Sequence, residues 1–148
     1  MNDLLVAIDG SKYSERIVES SCDFAKRLSD GIILLYVSKY PDLIEEYIEY
    51  GGREPVPNAE RYTKIAEAVT LKYGERVKNK GIRCEIVLET GNPAEKIIQI
   101  ANEKNVDMII VGLKGLHGLD RIRSLGSISR RVIENSLCPV LVVTGKED

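Results

Sequence analysis

One histidine, three cysteines and almost no excess charge leave this 148-residue chain without the material for several kinds of chemistry. Cys22, Cys84 and Cys138 are odd in number, widely spaced and free of any C-x-x-C. With His117 alone beside them they make no metal-ligand set, and each reads as a small buried hydrophobe. His117, on a loop, is assigned no role. The longest apolar runs fall far short of the ~20 residues needed to span a bilayer. Strand-like sequence begins almost directly after Met1 with no basic n-region or cleavage site, so no signal peptide is read and a cytoplasmic location is expected. A net charge of −2 argues against nucleic acid or a membrane surface as partner. Two common phosphate motifs are also missing. Without G-x-x-x-x-G-K-[ST] the chain is not a P-loop NTPase, and without G-x-G-x-x-G after the first strand a dinucleotide Rossmann site is not expected.

What remains is an ordinary soluble composition, 43% hydrophobic and 30% charged, in a length that suits one core; residues 1–148 read as a single domain. Strand and helix patterns alternate. Leu4 to Ile8 is a continuous apolar run, as a strand buried on both faces should be, and it ends at Asp9-Gly10-Ser11. Ser11 can cap a helix with Ile17, Val18, Ser21, Phe24, Ala25 and Leu28 inward, stopped by Gly31. Ile32 to Val37 is a second buried strand, followed by a connector from Ser38 to Asn58 in which Leu43 to Tyr50 can form a short helix. Ala59 to Lys80 reads as a helix with Ile65, Val69, Tyr73 and Val77 on one side, weakened by Gly74. Ile82 to Leu88 alternates apolar residues with Arg83, Glu85 and Glu89, the pattern of an edge or half-exposed strand. Asn92-Pro93 starts a helix with a cap and a proline in first position, and Ala94, Ile97, Ile98 and Ala101 face inward. Val106 to Val111 is a fourth strand, Ser127 to Ser136 a helix with Ile128, Val132 and Ile133 inward, and Cys138 to Val143 the last strand. The fold class is α/β: a five-stranded parallel sheet with helices on both faces and right-handed crossovers. On such sheets ligands bind outside the carboxyl ends of the strands, where strand order reverses. Asp9, Val37 and Gly112 all fall at carboxyl ends.

The most informative stretch runs from Val111 to Ser129. An apolar strand breaks into glycines at 112, 115 and 118, a basic loop follows, and Gly126-Ser127 opens a helix. Glycines let backbone N–H groups approach a ligand closely, and a helix start supplies unpaired donors, so such an arrangement can surround a phosphate chain. Lys114, Arg121, Arg123, Arg130 and Arg131 stand against Asp120 and Glu134 here, a local positive balance that suits phosphate and equally suits a solvated loop. An ordinary helix N-cap would account for Gly126-Ser127 as well.

Gly112-x2-Gly115 followed after a gap by Gly126-Ser127 resembles the nucleotide-binding signature of the universal stress protein family, G-x2-G-x9-G-[ST]. The ending from Gly126 to Val143 and the opening Leu4 to Ser11 are similar to that family too, so the resemblance covers the whole chain. It departs at one place: positions 116 to 125 are ten residues where the family pattern has nine. The resemblance implies a Rossmann-like, adenine nucleotide alpha hydrolase-like fold with strand order 3-2-1-4-5, and ATP as ligand with Mg²⁺ or Mn²⁺ on its phosphates. By resemblance Asp9 and Val37 meet the adenine side, Val111 and Gly112 the ribose side, and Gly115, Gly126, Ser127 and Ile128 the phosphates, as adenine-nucleotide-binding residues of a stress-response protein. A phosphorylated receiver domain shares the alternating architecture but needs a phospho-accepting aspartate after its third strand, where Glu89-Thr90-Gly91 stands instead. No general base and no nucleophile–base pair is recognisable, so no catalytic residue is assigned, and slow ATP hydrolysis is the most that enzymatic chemistry could amount to. In the order 3-2-1-4-5 the strand Val140 to Val143 lies at an edge yet is as apolar as a central one, and a homodimer through it is the expected remedy. The competing expectation is a dimeric interaction module of the same fold that binds no nucleotide, which the longer gap favours.

Overall fold

Apolar residues on both sides of a strand can be buried only if helices cover both faces of the sheet, and the chain is built that way. The computed structural model describes residues 3–28, 31–38, 59–113 and 125–145. In chain order the described elements are β1 (Asp3–Ile8), α1 (Ser14–Leu28), β2 (Gly31–Ser38), α2 (Ala59–Asn79), β3 (Arg83–Thr90), α3 (Pro93–Glu103), β4 (Met108–Gly112), α4 (Ser127–Asn135) and β5 (Val140–Val143). All five strands are parallel, in the order β3-β2-β1-β4-β5. The resemblance implied this order, and the alternating pattern implied the architecture. The helix expected over Leu43 to Tyr50 lies outside the described residues.

Two apolar layers sandwich the sheet. On one face Leu4, Val6, Ile8, Ile32, Leu34 and Ile110 pack with Ile17, Val18 and Cys22 of α1 and Tyr73 and Val77 of α2. On the other, Leu5, Ile33, Leu35, Ile109 and Val111 pack with Ala94, Ile97 and Ile100 of α3 and Val132 of α4. Local sequence sets the helix starts. Ser11 Oγ accepts the Tyr13 N–H just before α1, and Asn92 Oδ1 accepts the Glu95 N–H with Pro93 in first position of α3.

Four side chains expected to face inward do not. Phe24 and Leu28 of α1 are exposed, Ile65 of α2 is 41% exposed and Ile133 of α4 is 42% exposed. In α2 the buried stripe is Ala66, Thr70, Tyr73 and Val77. Gly74 fixes that rotation: a Cβ there would come within 2.8 Å of Ile86 Cδ1, so the helix rests on β3 through its glycine and Ile65 is turned aside. In α4 only Ser129 and Val132 are buried, one turn apart on a nine-residue helix, and Ile133 lies a full residue step around the axis from Val132. In α1 the buried positions end at Ala25, leaving Leu28 on the last turn and Phe24 beside the stripe.

The expected edge strand is β3, and its charges are paired: Arg83 with Asp3 at 2.6 Å, Glu85 with Lys104 at 2.6 Å and Glu89 with Lys96 at 3.9 Å. Charged side chains on an exposed edge discourage strand addition. β5, at the opposite edge, is half-buried along its whole length. Of the cysteines only Cys22 is fully buried; Cys84 and Cys138 are half-buried, and burial pushes the thiols of Cys22 and Cys84 up. Among the described residues no helix is long and apolar enough to cross a membrane.

The packing makes a direct contrast. Ile109→Ala, at a fully buried position, should cost about 2–5 kcal/mol in chemical denaturation, whereas Ile133→Ala should stay below about 1 kcal/mol. Equal losses would mean that α4 packs through Ile133.

Candidate functional site

The register of the sheet opens a crevice at its carboxyl end. β1 and β4 pair only from Leu4↔Met108 to Val6↔Ile110, yet the strands continue to Ile8 and Gly112. They therefore part over their last residues. β2 pairs with β1 as far as Ile8↔Tyr36 and runs on beside β3 to Ser38↔Thr90, so Val37 and Ser38 stand beyond the end of β1. This is the point where strand order reverses, because the connection after β1 leads to β2 and the one after β4 leads to β5.

Asp9 sits at the floor of this opening. Its Oδ1 accepts the Ser11 N–H at 2.9 Å and the Ser14 hydroxyl at 3.4 Å, so the carboxylate is oriented by the start of α1. Gly10 makes the turn with φ +78, a left-handed conformation natural to glycine. A Cβ on it would face Val69 Cγ2 at 3.5 Å and the Tyr36 ring at 3.7 Å. The Tyr36 hydroxyl is pushed up by burial and then by the charge of Asp9, which marks the two as neighbours. Tyr36 and Val69 thus wall the Asp9 side, and sequence reasoning missed both. The available signal was alternation: if Val37 faces one layer, Tyr36 must face the other, toward α1 and α2.

The opposite side of the crevice is made of backbone. Val111 is buried in the core, and Gly112 and Leu113 after it are half-buried. Leu113 N–H donates to Val143 O at 3.0 Å, and Gly126 N–H donates to Leu113 O at 2.8 Å. Ser129 Oγ donates to Gly112 O. Gly126 is the N-cap of α4 with no side-chain cap of its own. Its N–H being taken by Leu113, the helix start offers the amides of Ser127, Ile128 and Ser129, which have no acceptor within the helix. Ser127 is exposed, while the Ile128 side chain packs on the core. The structure thus brings Asp9, Val37, Val111, Gly112, Gly126, Ser127 and Ile128 to one end of the sheet. Gly115 lies outside the described residues, as do Lys114, His117, Arg121 and Arg123. Arg131 reaches Glu95 of α3 at 3.7 Å. Among the described residues no three histidine, cysteine or acidic side chains gather where they could hold a metal ion.

An uncapped helix start is thus tied to the end of β4, at the same end of the sheet as the oriented carboxylate of Asp9. The model of the universal stress protein family matches residues 1–144. The chain belongs to the universal stress protein family. Universal stress protein YxiE of Bacillus subtilis is 32% identical over 146 residues, covering 96% of this chain and 98% of that one. Among solved structures, the hypothetical protein MJ0577 superposes with a TM-score of 0.82 at 27% identity, over 99% of this chain and 98% of that one. A universal stress protein from Archaeoglobus fulgidus in complex with dAMP matches with a TM-score of 0.70 over 96% of this chain and 97% of that one; at 19% identity it speaks for the fold.

Asp9 has a measurable structural duty apart from any ligand. Asp9→Ala removes the acceptor for Ser11 and Ser14 and should cost about 1 kcal/mol in thermal unfolding, while Asp9→Asn, which keeps an acceptor, should cost only a few tenths. Equal losses for the two would mean that charge, not hydrogen bonding, is what α1 requires.

Proposed function

We propose that the chain binds an adenine nucleotide, ATP with a divalent cation, across the carboxyl end of the sheet, and works as a homodimer in nucleotide-dependent stress adaptation or signalling. The observation that carries the reading is the start of α4, uncapped and bonded to the end of β4, facing the gap where β1 and β4 part. In this reading Asp9 and the carboxyl end of β2 at Val37 receive the base. Val111 and Gly112 receive the ribose, and the amides from Gly115 and from Ser127 and Ile128 receive phosphate, with Gly126 letting the chain approach closely. A family member of the same fold is complexed with dAMP, which supports an adenine nucleotide as the ligand class.

Magnitudes favour several converging contacts over any single one. A helix start contributes roughly 0.3–1 kcal/mol per exposed anionic contact and up to ~2 when partly buried. Micromolar affinity needs about −8 kcal/mol, so base and ribose burial must supply most of it. With no metal-ligand cluster in the described chain, a cation would be held mainly by phosphate oxygens and water, the usual manner for Mg²⁺. The carboxylate nearest the crevice already serves Ser11 and Ser14 through Oδ1. The proposal is accordingly one of binding, with hydrolysis at most slow.

Dimerisation is supported by the edge at β5. Its four residues are apolar and half-buried, and Leu137, just before it, is 85% exposed. An apolar edge strand beside an exposed leucine is a surface that a second copy would cover. Light scattering at micromolar concentration should give twice the chain mass, and Val142→Lys should return the monomer; a monomeric wild type rejects the dimer.

Calorimetry with ATP and Mg²⁺ tests the site. Wild type should bind in the micromolar range, and Gly126→Val should weaken binding at least about tenfold, a loss of ~1.4 kcal/mol. A folded, dimeric wild type that takes up no nucleotide would instead support the second reading, a dimeric interaction module, which the ten residues between Gly115 and Gly126 favour.

A further inference from the structure

We infer that Ser129 is the positioning residue that fixes the start of α4 against the end of β4, and so sets the phosphate side of the crevice independently of the length of the segment after Leu113. The inference rests on the nucleotide reading for its consequence, but not for its geometry. Among the described residues four serine and threonine hydroxyls on helices are buried, and one of them, Ser14 in the first turn of α1, bonds to Asp9 Oδ1 just outside its helix; the other three differ in where they turn. Ser21 Oγ bonds back to Ile17 O within α1 at 2.6 Å, and Thr70 Oγ1 bonds back to Ala66 O within α2 at 2.8 Å. Each satisfies itself inside its own helix, the usual course for a hydroxyl that must be buried. Ser129, 5% exposed, instead reaches across to Gly112 O on β4.

The bond does not act alone. Gly126 N–H donates to Leu113 O at 2.8 Å, and Leu113 N–H donates to Val143 O at 3.0 Å. Gly112 and Leu113 are thereby held to Gly126 and Ser129 by a main-chain bond and a hydroxyl bond, with β5 joined to the same group. Every atom in this staple belongs to residues outside 114–124. An insertion within that segment lengthens the chain between two fixed points; it does not change the distance between β4 and the first turn of α4. Lengthening a stretch of chain whose ends are held elsewhere costs little. On this inference an extra residue in the family signature leaves the amides of Ser127 and Ile128 where the staple holds them.

The test separates positioning from mere stability. ATP and adenosine affinities are measured for wild type, Ser129→Ala and Ser129→Thr, with Ser21→Ala as a control for loss of a buried serine elsewhere. Loss of the staple should lower affinity for ATP roughly tenfold and for adenosine less than about twofold, because only the phosphate contacts depend on it. Ser129→Thr, which keeps the hydroxyl, should restore the ATP-to-adenosine ratio, and Ser21→Ala should leave that ratio unchanged. Equal losses for ATP and adenosine in Ser129→Ala overturn the inference. Should wild type bind neither ligand, the nucleotide reading fails, and amide hydrogen exchange then decides the positioning role. The Gly126 amide should exchange several-fold faster in Ser129→Ala than in wild type, and unchanged exchange overturns the inference. If Ser129→Ala does not fold, Ser129→Thr carries the test: a Gly126 amide exchanging as in wild type supports the staple, and a faster one overturns it.

Discussion

A parallel sheet built from two runs of crossovers in opposite directions must part somewhere, and here the ladder between β1 and β4 stops at Val6↔Ile110 while both strands continue. The rest of the molecule's carboxyl end depends on that early stop. Backbone groups beyond it have no partner strand across the gap, and buried or half-buried backbone polar groups must be satisfied in some other way. On the β1 side the chain turns at once through Asp9 and Gly10, and the Asp9 carboxylate takes up donors from the start of α1. On the β4 side Gly112 and Leu113 turn their carbonyls to α4 and the Leu113 N–H to β5. The crevice is the space left between two independent ways of ending a strand.

Much of the fold was legible because double-sided burial leaves an unmistakable trace. The runs Leu4 to Ile8, Ile32 to Val37 and Met108 to Val111 are apolar without alternation, and only a sheet covered on both faces allows it. β3 betrayed its edge position by Arg83, Glu85 and Glu89, charges that find partners in Asp3, Lys104 and Lys96 from neighbouring elements. Asn92-Pro93 announced α3 through chemistry confined to a single turn. In each case the cause of the structure lies within a few residues of the signal.

What stayed hidden has its cause far away in sequence. The rotation of α2 is decided by Gly74 against Ile86, so the stripe through Ala66 and Thr70 is buried while the more hydrophobic Ile65 is not. Hydropathy along the helix alone favoured Ile65. Tyr36 reads as one more apolar residue of β2; only the packing shows its hydroxyl pushed up by burial and, second to that, by the charge of Asp9. Gly126 was expected to offer its own amide to a ligand, but that amide is bonded to Leu113, and the donors of the helix start are those of the residues that follow. The glycine pattern pointed to the carboxyl end of the sheet without indicating which amides there have their bonds already made.

The framework of the crevice is made almost entirely of main-chain groups, serine hydroxyls and one carboxylate. Two of the charged side chains on this side of the sheet are engaged in surface ion pairs: Arg131 leans on Glu95, and Lys96 on Glu89. Exposed ion pairs of this kind contribute about 0–1 kcal/mol each and shift readily with salt, so they make poor scaffolding. Hydrogen bonds between strand ends and a helix start depend instead on backbone geometry, which many side-chain combinations can produce. A chain can therefore diverge widely over its surface while keeping the parted strands, the left-handed glycine after β1 and the uncapped helix after β4. The residues whose identity the site does constrain are those whose chemistry the backbone cannot supply: Gly10 for its φ, Asp9 for its acceptor, and Ser129 for a hydroxyl that reaches from a helix to a strand.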